Sequence, residues 1–190
     1  MKICKDEELI RNCASGDTEA FDLLFKKYAK PLTHFIYNII YDRDRAEDIF
    51  QDTFLKVYEN SGKFNDKFKF STWIYRIALN LSINELKRIK RQSRFWFNPA
   101  KDLYDKPETD FLDSFSDHSD PEEILEKKET EEQIKFAIER LPGTKKVAFI
   151  LKFYQHLSYE EIANIMDCSV GTVKSRIHYA IEKLQILVGN

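Results

Sequence analysis

Glycine, proline and cysteine are all scarce in this sequence of 190 residues, which contains five, five and three of them respectively. Because sheets and sandwiches need many turn residues, the shortage of glycine and proline favours an all-α fold. The three cysteines, Cys4, Cys13 and Cys168, are odd in number and far apart, so they indicate neither a disulfide framework nor a metal site. This cysteine usage is typical of a reducing cytoplasm.

Long apolar runs and a surplus of basic charge are missing as well. No run of apolar residues approaches the roughly 18 that span a bilayer, and the first residues become acidic where a signal peptide would become apolar. We therefore expect no membrane insertion and a cytoplasmic location. Lysine and arginine total 30 against 32 acidic residues, and the resulting net charge of -2 weighs against nucleic-acid binding.

The charge is nevertheless unevenly distributed along the chain. Residues 67–96 contain eight basic side chains and one acid, whereas residues 98–123 contain nine acids and two lysines. The acidic stretch also holds three prolines and lacks helical periodicity, so it predicts a linker over residues 97–121. We expect two small helical domains, residues 1–96 and 122–190, joined by this flexible acidic linker. The two charge blocks are either solvated faces or a nucleic-acid-binding helix followed by an acidic tether.

A helix predicted over about residues 43–60 has one apolar face and one acidic face. The apolar stripe repeats at helical spacing and predicts burial of Ala46, Ile49, Phe50, Thr53, Phe54 and Val57. The opposite face carries Asp48, Gln51 and Asp52, and Leu55 lies among these polar side chains. An apolar residue between outward carboxylates is typical of a partner-binding surface, although single exposed leucines are also common.

Aromatic and basic residues alternate in the segment Lys63–Arg76, which contains five aromatic side chains. Ser71 is a suitable N-cap for a helix that continues to about residue 91. One face of this helix carries a polar row at spacings of three and four residues: Arg76, Asn80, Asn84, Lys87 and Arg91. Such a row suits phosphates and base edges, and the neighbouring aromatics suit unstacked bases. Aromatics buried in the core beside a merely solvated basic face are the alternative.

The C-terminal unit carries the pattern of a helix-turn-helix. Ser158 and Glu161 form a capping box at the start of a short helix, and Asp167 suits the left-handed conformation of a tight turn. Ser169 can cap the second helix of the motif. The exposed side of that second helix offers six residues toward a major groove: Thr172, Lys174, Ser175, Arg176, His178 and Tyr179. Helix pairs of this kind also occur as plain packing units.

Two groups of motifs resemble conserved regions of bacterial sigma factors. Arg45–Val57 (RAEDIFQDTFLKV) and Phe70–Asn80 (FSTWIYRIALN) resemble region two, and Leu157–Ala163 (LSYEEIA) and Val170–Arg176 (VGTVKSR) resemble region four. No further domain separates these regions, so the chain is similar to the extracytoplasmic-function (ECF) group of the sigma-70 family. The resemblance implies a factor that binds core RNA polymerase, directs it to specific promoters and helps to melt them.

The resemblance also implies roles for particular residues. The surface for the clamp helices of the polymerase β′ subunit would consist of Asp48, Gln51, Asp52, Phe54 and Leu55. The minus-ten element, with one base flipped out, would be held by Phe64, Phe68, Phe70, Ser71, Thr72, Trp73, Arg76, Asn80, Lys87, Arg88 and Arg91. The minus-thirty-five element would be read by Ser169, Thr172, Lys174, Ser175, Arg176, His178 and Tyr179. The second domain would also contact the β flap, and the acidic linker would run through the RNA exit channel, with no cofactor or metal ion involved.

The C-terminal domain departs from the family pattern because it is poor in basic residues. Residues 122–190 contain ten basic and eleven acidic side chains, although duplex binding relies on neutralising phosphates. We therefore hypothesise weak binding of the minus-thirty-five element, with promoter choice resting on the N-terminal domain or on another DNA-bound factor that recruits the complex. A stand-alone helix-turn-helix regulator is a further alternative, and the existence of an anti-sigma partner stays open.

An enzyme is not expected from this sequence. The four histidines are scattered without the spacing of metal ligands. The sequence also lacks a nucleophile elbow and a glycine-rich phosphate-binding loop.

Overall fold

The computed structural model describes residues 5–96, 134 and 136–188, and all regular structure within these residues is helical. The expected all-α fold is therefore confirmed for the described part of the chain. Besides a short 3-10 turn at Ser61–Lys63 and a helical stretch at residues 136–139, it contains seven α-helices. These are α1 (Asp6–Ala14), α2 (Thr18–Ile40), α3 (Arg43–Glu59), α4 (Phe70–Trp96), α5 (Gly143–Phe153), α6 (Tyr159–Met166) and α7 (Val170–Val188).

The N-terminal unit is built around α2, which packs against α1, α3 and α4. Asp17 and Asp42 begin α2 and α3, and each side chain accepts a hydrogen bond from a backbone N–H in the first turn. The core consists of fully buried apolar side chains, including Leu24, Leu32, Phe35, Ile36, Phe70 and Ile74. Burial of each such side chain contributes about 1.5–3 kcal/mol before the entropy of ordering is subtracted.

Helix α2 continues through Pro31, although a proline inside a helix favours a kink or break. The helix continues because the following turns are held by packing. Leu32, Phe35 and Ile36 are fully buried directly after the proline. Burial of three large side chains outweighs the loss of one helical hydrogen bond.

Helix α4 begins at Phe70, so Ser71 lies inside the first turn and is not the N-cap as predicted. The backbone N–H of Phe70 instead donates to Oε1 of Glu7 at 3.0 Å, and that carboxylate belongs to α1. A carboxylate at a helix N-terminus is favoured by the helix dipole. The cap of α4 therefore comes from the tertiary structure, and no local pattern in the sequence could indicate it.

The C-terminal unit contains the predicted helix-turn-helix, formed by α6 and α7. The capping box is present, because Ser158 N donates to Glu161 Oε2 at 2.8 Å and Glu161 N donates to Ser158 Oγ at 3.2 Å. Asp167 has a φ of 51° in the left-handed region, as predicted, and Ser169 Oγ accepts from Thr172 N at 3.1 Å. Pro142 is the N-cap of α5.

The two units pack against each other, which the sequence alone did not predict. Helix α5 contacts α2, helix α6 contacts α4, and the buried apolar side chains of both units form one continuous cluster. The predicted linker, residues 97–121, lies outside the described residues. None of the described helices combines the length and the apolar character that crossing a bilayer requires.

Candidate nucleic-acid and partner interfaces

The outward face of α3 is the first candidate interface. Asp48, Gln51 and Asp52 are exposed there, and Leu55 is 55% exposed among them. Phe54 does not belong to this face, because it is only 2% exposed. Its ring packs against Phe25 and Phe50 with centroid distances of 4.9 and 5.0 Å. Phe54 therefore supports the surface from below and does not contact a partner directly, which corrects its predicted role.

Two exposed aromatic residues extend this face and were missed by the sequence analysis. Tyr58 is 55% exposed and lies one helical turn after Leu55 on α3. Phe25, on α2, packs beside Phe54 and keeps part of its ring in solvent. The i,i+3 spacing of Leu55 and Tyr58 was visible in the sequence, whereas the position of Phe25 depends on how α2 crosses α3. Leu55 and Tyr58 form an exposed apolar strip among the carboxylates of α3.

The aromatic segment before and within α4 forms a cavity of about 120 Å³. Phe64 and Trp73 lie next to each other there, with ring centroids 5.4 Å apart, and Phe68 is half-exposed. The complete lining is Lys63, Phe64, Asn65, Phe68, Thr72, Trp73, Arg76 and Asn164. The structure thus brings together five of the eleven residues that the sequence assigned to the minus-ten element: Phe64, Phe68, Thr72, Trp73 and Arg76.

Phe70 was predicted to be a site residue, but it is buried below the surface. Its side chain is fully buried, with its ring centroid 5.3 Å from that of Tyr28 and 6.1 Å from that of Trp73. Phe70 is thus a core residue beneath Trp73 and cannot stack on a base, as its predicted role required. Thr72 is also almost fully buried and lines the cavity, while Ser71 is half-buried.

The polar row on α4 is exposed throughout, as its spacing predicts. Its members are Arg76, Asn80, Asn84, Lys87 and Arg91. Such a row places cationic and amide groups along one side of the helix, next to the aromatic cavity. Backbone phosphates of a nucleic acid are bound by groups of this kind.

Arg88 differs from its neighbours because its guanidinium group is already paired with a carboxylate. Its Nε and Nη2 donate to the two oxygens of Glu85, each at 2.7 Å, and Arg45 Nη1 donates to the same carboxylate at 2.8 Å. The hydrogen bonds from Arg88, joined by those from Arg45, hold the pKa of Glu85 below its ordinary value despite partial burial. The charge that the sequence assigned to DNA backbone contact is therefore neutralised within the protein.

The recognition face of α7 is mostly exposed. Lys174, Ser175, His178 and Tyr179 are all exposed on it. Ser169 and Thr172 are hydrogen-bonded to each other at the start of the helix, with 2.9 Å between their hydroxyl oxygens.

Arg176 is half-buried and turned toward the turn of the motif. Its Nη1 lies 3.4 Å from Cys168 Sγ. Arg176, a cationic side chain that the sequence predicted to contact the duplex, is therefore partly engaged inside the domain.

Several contacts connect α6 and the adjoining residues to the N-terminal unit. Lys69 Nζ lies 2.9 Å from Glu161 Oε1, and this hydrogen bond raises the pKa of Lys69. Arg76 Nη2 lies 3.7 Å from Asp167 Oδ1. The hydroxyl of Tyr75 is hydrogen-bonded to the side-chain oxygen of Gln155.

A further cross-domain contact joins α5 to the end of α2. Lys146 Nζ lies 4.5 Å from the ring centroid of Tyr41, and burial lowers the pKa of Lys146.

Comparison with known proteins connects these surfaces to a family. Residues 24–92 match the family model of Sigma-70 region 2, and residues 131–184 match that of Sigma-70 region 4. The RNA polymerase sigma-H factor of Pseudomonas aeruginosa is 34% identical over 183 residues, which are 95% of this chain and 92% of that protein. The ECF RNA polymerase sigma-E factor of Haemophilus influenzae is 34% identical over 182 residues, or 95% of this chain and 93% of that protein. The chain belongs to the ECF group of the sigma-70 family. As a sigma factor it directs RNA polymerase to promoters, so its partners are core polymerase and promoter DNA.

Solved structures share the fold of this sigma factor. CnrH, solved in complex with the cytosolic domain of CnrY, superposes with a TM-score of 0.68 at 22% identity and covers 97% of both chains. The sigma factor RpoE of Bartonella quintana, solved with the anti-sigma factor NepR, gives a TM-score of 0.70 at 23% identity over 89% of this chain and 96% of that one. Within the described part of the sigma factor, no group of three or more His, Cys, Asp or Glu residues is arranged to hold a metal ion.

Proposed function

We propose that this sigma factor divides promoter recognition among the three surfaces described above. The face of α3 binds core polymerase, the aromatic cavity and the polar row of α4 hold the melted minus-ten element, and α7 reads the minus-thirty-five element. The observation that carries the proposal is the cavity walled by Phe64 and Trp73, which is also lined by exposed Arg76, with exposed Asn80 one helical turn further along α4. Bases that leave the duplex bind in this way, by stacking on aromatic rings beside cationic and amide groups.

The polymerase-binding surface consists of Asp48, Gln51, Asp52 and Leu55, with Tyr58 as an addition. Its apolar strip is bordered by carboxylates, the composition of an interface with a hydrophobic centre and a polar rim. We assign it to the clamp helices of the β′ subunit, as the family resemblance implies, and we assign a contact with the β flap to the C-terminal domain. Phe54 has a supporting role in this assignment, because it is buried below the surface.

The minus-ten assignment follows the order of the residues along α4. Trp73 and Phe64 stack on a flipped base, and Asn80, on the next exposed turn, contacts a base edge. Lys87 and Arg91 then follow the DNA backbone. Arg88 is left out of this set because Glu85 neutralises it.

We expect α7 to bind the minus-thirty-five element more weakly than α4 binds the minus-ten element. The C-terminal domain has nearly balanced charge, and its Arg176 is turned toward Cys168. Both observations favour weak duplex binding, since each missing phosphate contact lowers affinity. The second candidate function is therefore a sigma factor that another DNA-bound protein recruits to its promoters. A stand-alone helix-turn-helix regulator is less favoured, because it leaves the cavity without a role.

Three further properties belong to this proposal. We infer an anti-sigma partner, because related folds such as RpoE of Bartonella quintana were solved with one. We expect no enzymatic activity and no cofactor, because the proposed work consists of binding alone. We place the protein in the cytoplasm, where core polymerase meets bacterial promoters.

The decisive experiment is transcription from a promoter library with core polymerase, in the presence and absence of this protein. We expect new, protein-dependent start sites. Asn80→Ala with Trp73→Ala should reduce open-complex formation and leave core binding intact, whereas Asp48→Ala with Leu55→Ala should reduce core binding. No added initiation under conditions where core binding is confirmed would reject the proposed function.

A further inference from the structure

Two side chains of α1 hold the cavity segment, residues 64–70, which carries much of the cavity lining. The backbone N–H of Phe70 donates to Glu7 Oε1 at 3.0 Å, and Arg11 Nη1 donates to Asp66 Oδ2 at 3.1 Å. Asp66 lies among cavity-lining residues along the chain. Helix α1 also packs against the 3-10 turn directly before the segment. Both the middle and the end of the cavity segment are therefore attached to α1.

Helix α1 is itself firmly placed on α2. The carboxylate of Asp6 accepts from Lys27 Nζ at 2.6 Å and from the hydroxyl of Tyr28 at 2.7 Å, and its side chain is only 13% exposed. Burial and the hydrogen bond to Asp6 raise the pKa of Tyr28, so its hydroxyl keeps the proton that it donates. Leu9 and Ile10 are buried in the core. The two contacts to the cavity segment thus start from a fixed helix.

The anchored end of the segment supports the aromatic wall of the cavity. The buried ring of Phe70 lies with its centroid 6.2 Å from that of Phe64 and 6.1 Å from that of Trp73. Because the backbone of Phe70 is bonded to Glu7, α1 determines where this supporting ring lies. A loop that must be ordered when its ligand binds loses affinity through the entropy of ordering.

We propose that α1 is a positioning element for the base-binding cavity, with Glu7 and Arg11 as the positioning residues. The inference rests on the proposed role of the cavity in holding a flipped base. Neither residue lines the cavity, and α1 precedes residues 24–92, which match Sigma-70 region 2. Both act through the cavity segment, which they keep in the conformation that receives a base. Supporting residues preorganise binding sites in this way.

The test uses the full chain with both contacts removed, as the double variant Glu7→Ala, Arg11→Ala. The matched control is Glu8→Ala, Lys26→Ala, which also removes one acid and one base. Glu8 Oε2 accepts from Lys5 N in the capping box of α1, so the control weakens α1 locally without touching the cavity segment. The conservative variant Glu7→Gln, Arg11→Lys keeps an acceptor and a cation at the two positions and should restore wild-type behaviour.

Two measurements report on the cavity directly. The first is acrylamide quenching of Trp73 fluorescence, in chains that all carry Trp96→Phe and therefore retain one of the two tryptophans. The second is the affinity for a labelled single-stranded oligonucleotide of about 12 random nucleotides, followed by fluorescence anisotropy. We expect the alanine variant to show stronger quenching of Trp73 and roughly five-fold weaker binding than the control.

Loss of stability alone would not produce this pattern in a folded protein. Arg11→Ala by itself changes a side chain that is 57% exposed, so it keeps the fold and should shift both measurements in the same direction by a smaller amount. Quenching equal to that of the control would overturn the positioning role. Failure of the conservative variant to restore both measurements would overturn it as well, because the effect would then not depend on the two contacts.

Trp73→Ala, in the otherwise unchanged chain, separates the positioning role from the proposed function. If Trp73→Ala leaves oligonucleotide binding unchanged, the proposed base-binding role of the cavity fails. If Trp73→Ala weakens binding and the alanine variant of α1 does not, the proposed function stands and the positioning role is overturned.

Discussion

Lys69 Nζ lies 2.9 Å from Glu161 Oε1, so the loop that precedes α4 is joined to the first turn of α6, the first helix of the helix-turn-helix. The same carboxylate accepts a hydrogen bond from Ser158 N through its other oxygen. Burial alone would raise the pKa of Glu161, but the hydrogen bonds from Ser158 and Lys69 outweigh it and lower this pKa. Glu161 therefore stays ionised at neutral pH, and one residue both caps α6 and joins the two domains.

The first prediction concerns the response to salt of the two cross-domain ion pairs, Lys69–Glu161 and Arg76–Asp167. Raising the salt concentration from about 0.05 M to about 0.5 M shortens the Debye length several-fold and weakens exposed ion pairs. We expect the free energy of unfolding of the wild-type protein to fall by up to about 1 kcal/mol, as measured by urea unfolding. Glu161→Gln with Asp167→Asn removes both cross-domain ion pairs, so that variant should respond much less. An equal response of both proteins would show that these ion pairs do not contribute to stability.

The second prediction compares two adjacent residues of α3. Phe54→Ala removes a buried ring that packs on Phe25 and Phe50, and we expect it to lower the free energy of unfolding by about 3–5 kcal/mol. Leu55→Ala changes an exposed side chain, so its effect on stability should stay within about 0.5 kcal/mol.

The effects of the same two substitutions on binding to core polymerase should be reversed, with the larger direct effect at Leu55. Leu55→Ala should weaken binding about ten-fold. Urea unfolding and a core-binding titration measure both quantities. If the Phe54→Ala protein were fully stable but unable to bind core polymerase, Phe54 would be a direct contact after all.

Local structure was predictable wherever neighbouring residues determine it. The capping box at Ser158, the left-handed turn at Asp167 and the buried stripe of α3 depend on side chains within one or two turns, and all three are confirmed. The continuity of α2 through Pro31 and the capping of α4 by Glu7 depend on residues far along the chain, and the sequence pattern missed both.

The same distinction between local and long-range contacts explains which parts of the candidate site could be predicted from the sequence. Spacing on α4 predicted the exposed row from Arg76 to Arg91, because helix geometry alone places these residues on one face. Periodicity could not tell which aromatics of the preceding segment would line a cavity and which, like Phe70, would enter the core. The contribution of Asn164 to the cavity lining depends on the docking of two domains, for which a single sequence contains no local signal.

The third prediction concerns Glu85, which binds Arg88 of α4 and Arg45 of α3. Glu85→Gln should free Arg88 for a phosphate and increase the affinity for single-stranded DNA, with a salt dependence steeper by about one phosphate contact. Fluorescence anisotropy at several salt concentrations measures both effects. Glu85→Gln with Arg88→Gln is the matched control, and it should return the affinity and salt dependence to wild-type values. A gain that persists in the control would mean that Arg88 is not responsible.

The stability of the N-terminal unit should depend on the same carboxylate. Because the folded protein lowers the pKa of Glu85, its ionised form stabilises the fold above the ordinary carboxylate pKa, and this contribution is lost as the pH falls through the lowered value. We expect Glu85→Gln to cost about 1 kcal/mol at pH 7 and less at pH 3. Urea unfolding at the two pH values measures this difference. An equal cost at both would contradict the assigned role of the ionised carboxylate.

The last prediction concerns the charge of the recognition helix. Glu182 lies one turn after His178 on α7, with 3.4 Å between His178 Nε2 and Glu182 Oε1, so an acid stands beside the predicted groove-facing residues. Glu182→Lys should increase the affinity for a duplex carrying the minus-thirty-five element several-fold and make its salt dependence steeper by about one contact.

Asp22→Lys makes the same charge change on α2 and should have a smaller effect if the gain is local to α7. The wild-type protein should bind the duplex only weakly at physiological salt, in the range of about 10⁻⁶–10⁻⁴ M that is typical of non-specific binding. Tight, sequence-specific duplex binding by the wild-type protein would contradict the hypothesis of a weak minus-thirty-five contact. It would also remove the reason to invoke a second DNA-bound factor.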